Sequence, residues 1–142
     1  MVTSFDRATP RVLHPLHAVL LAGTVPLFLG ALLNDIAYAK SYQIQWSNFA
    51  SWLIAGGLVF GACALAWATV DLFRGHRHGR RHVAYFVVLL ATWVLGFINA
   101  LVHAKDAWAM MPGGLVLSVV VTLLACAATW IGFSGYRAGG VA

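Results

Sequence analysis

Apolar residues gather into four long runs, roughly 16 to 38, 48 to 70, 83 to 102 and 113 to 136, with polar residues confined to short stretches between them. At about 1.5 Å of rise per residue, a helix over each run reaches about 30 Å or more, the thickness of a bilayer's hydrocarbon core. The pattern therefore predicts an all-α integral membrane protein: a single four-span domain over residues 1–142, built as an up-down-up-down four-helix bundle. The first run is longer than the apolar core of a signal peptide, about 7 to 15 residues, and is read as a span.

Within the runs, Gly57 and Gly61 have the GxxxG spacing that lets membrane helices approach closely, so a tight contact is expected along span two. Glycine and alanine are also common in membrane helices without any such role. Pro26 lies mid-span and is expected to bend the first helix and free a carbonyl near the bundle centre, whereas Pro112 falls at a helix start. Trp46, Trp52, Trp108 and Trp130 lie towards run ends, as interfacial anchors do.

Composition sharpens this picture. Apolar residues make up 61% and charged residues 9%, there is no glutamate, and the two cysteines both fall inside apolar runs, where they behave as small hydrophobes. Arg7, Arg11, Arg74, Arg77, Arg80, Arg81 and Arg137 lie on one side of the spans, against only Lys40 and Lys105 on the other. The excess of basic residues on the inner side of membranes places both termini and the 74–82 loop in the cytoplasm, with outer loops at about 39–47 and 104–112. The net charge of +5 is this topological bias; it favours anionic lipid headgroups, and nucleic-acid binding has little support.

Spans one and three share a pattern: His17, Asn34, Ala39 and Lys40 are matched by His82, Asn99, Ala104 and Lys105, each 65 positions on. Four identities in 24 positions suggest two copies of a helical hairpin, related by an axis along the membrane normal. On that reading His17 and His82 face each other at equal depth near the cytoplasmic edge, an axial geometry suited to one b-type haem, with His14 as the alternative ligand. The competing reading makes His14 and His17 interfacial residues at a helix start and His82 part of a solvated basic loop. The four arginines of the 74–82 loop would repel a divalent cation, so no metal site is read there.

A second polar group gathers at the outer ends of spans one and three: Asn34, Asp35, Asn99 and His103. An ionisable group in a span is by default a functional-site hypothesis with a partner to be named, and Asp35 with His103 is the pair named here. A structural clamp between two helix ends is the alternative role. Asp71 and Arg74, three residues apart, are expected to form a helical ion pair. No nucleophile-base pair, phosphate loop or carboxylate pair is present to support hydrolysis or group transfer.

His14-Pro15 at the start, Asp35 ending span one, a Gly-rich span two ending in Asp71, Arg80-Arg81 before span three, and Trp130-Ile131-Gly132 near the end form a pattern over nearly the whole chain. It resembles the bacterial membrane proteins catalogued as domain of unknown function 2231. In that family a His usually lies about a turn inside span three with Asn close behind, whereas here His82 comes earlier and Asn99 much later. The resemblance implies a multi-pass protein of the bacterial inner membrane in an electron-transfer setting. Two functions are thus carried forward. One is a b-type cytochrome or quinone-linked subunit serving a periplasmic or membrane redox partner; the other is a cofactor-free anchor or assembly factor, with oligomerisation open in both.

Overall fold

The computed structural model describes residues 14–74 and 79–134, and the sequence expectations that fall on Arg7, Arg11, Arg77 and Arg137 lie outside them. Four long helices, α1 (Pro15–Ser41), α2 (Ile44–Arg74), α3 (Arg80–His103) and α5 (Gly113–Ser134), are joined by short connections, the last carrying a single turn, α4 (Ala107–Met110). All four long helices are long and apolar enough to cross a membrane.

The first three long helices, α1, α2 and α3, outrun the apolar stretches that announced them. The outer loop expected over 39–47 is reduced to two residues, because α1 continues to Ser41 and α2 begins at Ile44. Intrahelical hydrogen bonds propagate past the end of the apolar run, and α1 stops only where Tyr42 enters the left-handed region (φ 55°) and returns its N–H to the Tyr38 carbonyl at 2.8 Å. Pro26 lies on the exposed face of α1, so the carbonyl it releases belongs to an outward-facing residue, Ala22, rather than to the bundle centre.

Neighbouring helices pack α1 on α2, α2 on α3, α3 on α5 and α5 on α1, which leaves α1 and α3 diagonal across the core. The buried positions explain why. On α1 they are His17, Leu21, Thr24, Phe28, Ala31, Asp35 and Tyr38, and on α2 Ser47, Ala50, Ile54, Gly57, Gly61, Ala64 and Ala68, each series stepping alternately by three and four residues. The seams of α3 (Leu89, Thr92, Gly96, Asn99, His103) and α5 (Gly114, Ser118, Val121, Ala125, Ala128) keep the same step, with Thr122 buried beside the α5 seam. A 3.5-residue period is that of left-handed bundles with side chains interlocked along a narrow line.

Small residues on the seams accept large ones from the neighbouring helix. A methyl group added at Gly57 would lie 2.8 Å from the Phe28 ring, so the tight contact expected along span two is with α1 of the same chain. Two apolar clusters fill the middle of the bundle, one around Phe28, Ile54 and Val121 and the other around Leu21, Ala64 and Leu89. Trp52, Trp108 and Trp130 are exposed, whereas Trp46 is half-buried. Asp71 and Arg74 are both exposed and do not pair; an exposed ion pair gains too little to hold two mobile side chains together.

Candidate functional site

The seam sets which polar side chains meet. Asp35 and His103 stand on the diagonal helices α1 and α3, five turns along from His17 and Tyr85 respectively, and both pairs are 68 residues apart. Seams on parallel helices thus correspond at a spacing of 68, which also aligns Thr24 with Thr92. The 65-residue match does not superpose environments: it pairs buried His17 with exposed His82, and buried Asn99 with half-buried Asn34.

At the Lys40 end, four side chains from three helices close a ring. His103 Nδ1 donates to the Asn99 carbonyl at 2.9 Å, and His103 Nε2 lies 2.8 Å from Asp35 Oδ1. Ser118 on α5 donates to Asp35 Oδ2 and accepts from Asn99 Nδ2 at 2.9 Å. Asp35 is wholly buried, and Asn99 and Ser118 nearly so. Gly114 makes room for the imidazole: a Cβ there would come 3.0 Å from His103 Cε1. Met110, also wholly buried, brings α4 over this end of the bundle and accepts from Ser47 on α2 at 3.3 Å.

Proton counting limits the chemistry. A carbonyl can only accept, so His103 Nδ1 carries hydrogen. Ser118 spends its one hydrogen on Asp35 Oδ2, leaving a single proton between Oδ1 and Nε2. Whether that proton sits on nitrogen or oxygen, the pair is neutral overall, which is how a carboxyl and an imidazole are tolerated together within a span. The ring is not a hydrolytic triad. Its imidazole faces the carboxyl group and not the Ser118 hydroxyl, so it does not take that hydroxyl's proton as the histidine of a triad does.

At the opposite end His17 is buried, with Nε2 3.0 Å from the Tyr85 hydroxyl and its ring beside Trp67. His17 Nδ1 is buried without a partner, as is Asn99 Oδ1 in the ring. His82 lies in the exposed first turn of α3, one turn before Tyr85, and exposed His14 caps α1 by accepting from the Leu16 N–H at 3.3 Å. The structure therefore does not bring His17 and His82 together as a facing pair. His17 Nε2 is engaged by Tyr85 and His82 stands in the exposed first turn of α3, so the two imidazoles do not form the expected facing axial pair.

Of the polar outer group, Asp35, Asn99 and His103 meet, while Asn34 turns aside and donates to the Gly30 carbonyl at 2.7 Å. Ser118 and Tyr85 were not anticipated. Ser118 had a signal, a lone hydroxyl in the middle of the run Leu115–Val121, but a serine can satisfy itself against its own helix and so passes for neutral.

A family model for predicted membrane proteins, domain of unknown function 2231, matches residues 13–141. The chain belongs to that family. No curated protein and no solved structure matches it. The family description is that of a predicted membrane protein.

Proposed function

We propose that the protein is a cofactor-free anchor or assembly factor, a rigid four-helix module of the bacterial inner membrane that holds a partner protein at its surface. The observation that carries this reading is where the polar groups go. Asp35, Asn99, His103 and Ser118 are spent on one another, and His17 on Tyr85, so the conspicuous polar chemistry of the spans joins α1, α3 and α5 instead of facing a substrate path. Among the described residues, the Lys40 end offers a surface to a partner: there Tyr42 stacks on Trp108 with ring centroids 5.6 Å apart, both largely exposed. Exposed aromatic residues with one wet edge are favoured contact points.

A second reading, a quinone-linked or haem-carrying redox subunit, is favoured by one observation, the unpartnered Nδ1 of buried His17. If Tyr85 donates to Nε2, that Nδ1 bears a hydrogen that a quinone carbonyl would accept. The visible spectrum of protein purified from haem-replete cells separates the two. The anchor reading expects no Soret band and a defined photo-crosslinked adduct in intact cells from position 108, with none from lipid-facing position 123. A Soret band lost in His17→Ala, or equal capture from both positions, overturns it.

A further inference from the structure

Between α1 and α5, on the outside of the bundle, runs a groove of about 320 Å³ lined by Val25, Cys126, Thr129, Trp130, Phe133 and Ser134. Its lining is mostly apolar: the Thr129 hydroxyl within it turns to the Leu21 carbonyl at 3.5 Å, and the groove ends at Ser134, the last residue of α5. From Cys126 to Ser134 is about 12 Å along the helix, the reach of the upper part of an acyl chain. Val25 and Cys126 mark its deep end, and Trp130 stands exposed one turn from its mouth.

The mouth carries positive charge. Arg81 reaches across from α3 and donates to the Ser134 hydroxyl, which sets a guanidinium at the residue where the groove ends. Arg80, also exposed, precedes it in the first turn of α3. Guanidinium groups suit phosphate oxygens, offering several donors in a plane. On the orientation read from the basic residues, this end meets the cytoplasmic leaflet, where anionic lipids concentrate.

From an apolar trough of acyl-chain length ending on a guanidinium and a hydroxyl, we infer that the α1–α5 groove is a binding site for an anionic phospholipid. One acyl chain lies along Trp130 and Phe133, and the headgroup phosphate is held at Arg81 and Ser134. The inference is independent of what partner the bundle docks.

Phosphatidylglycerol is the probe. The protein is reconstituted in phosphatidylcholine vesicles containing equal small fractions of either phosphatidylglycerol or phosphatidylcholine brominated on the acyl chain, and tryptophan fluorescence is read. Brominated phosphatidylglycerol should quench more strongly, with an apparent enrichment of about fivefold, corresponding to about 1 kcal/mol for one basic residue near the surface. The excess should disappear in Trp130→Phe, which removes the reporter, and in Arg81→Gln, which leaves the groove apolar but uncharged at its mouth. Equal quenching by the two lipids overturns the site. So does an excess that persists in Arg81→Gln.

Discussion

The two ends of the bundle solve one problem differently. Each joins the diagonal helices α1 and α3 through a polar pair on the seam, five turns apart, but the Lys40 end uses a carboxyl group and closes a ring through α5, while the other end relies on a contact between His17 and Tyr85. The carboxyl group makes the difference. Asp35 without a partner would be a charge in a medium that cannot solvate it, so each of its oxygens must meet a partner, and that demand recruits His103 and Ser118, with Asn99 donating in turn to Ser118. His17 can be neutral by itself, and the structure leaves its Nδ1 without a partner. Polarity that must be satisfied rigidifies; polarity that can be left half-satisfied remains available.

The sharpest break in this contrast is Asp35→Leu. It strands His103 Nε2 and the Ser118 hydroxyl in the core and should cost about 3–5 kcal/mol, seen as a large fall in thermal midpoint in detergent. Asp35→Leu with His103→Leu should recover much of that loss, and a double variant no better than the single would show that the pair is not the source. Ser118→Ala comes next. It removes the donor to Asp35 Oδ2 and the acceptor of Asn99 Nδ2 together, at about 1–3 kcal/mol, and stability equal to the parent would reduce the ring to an isolated pair. Tyr85→Phe should have the smallest effect, about 0.5–1.5 kcal/mol, since it removes the hydrogen bond to His17 from a side chain that keeps its ring packing. If Tyr85→Phe costs more than Ser118→Ala in the same unfolding assay, the ranking of the two ends is inverted.

Part of the candidate site could be read before any coordinates. Asp35 and His103 stand out because ionisable groups are rare in apolar runs, and the expectation that they pair matches their 2.8 Å contact. Asn34 was grouped with them by adjacency in sequence, yet one residue is about 100° around a helix, and it falls off the seam onto its own Gly30 carbonyl. The 65-residue match between His17 and His82 failed for a different reason. A three-residue difference from the spacing of 68 keeps the same face of the helix but sets His82 one turn short of Tyr85, in the first turn of α3, where residues 80–84 are all exposed.

The sequence by itself determined that this is a four-span membrane protein, because apolar run length and bilayer thickness are one-dimensional quantities that need no packing to compare. It also marked the ionisable pair, since the cost of burying charge depends on the residue and the medium alone. Only the tertiary structure decided that α1 and α3 lie diagonally, that Ser118 and Tyr85 complete the two polar contacts, and that α1 and α5 leave a groove ending at Arg81. Those outcomes depend on the azimuth of each helix about its own axis, set by small seam residues receiving rings such as Phe28 against Gly57, and azimuth exists only once helices pack.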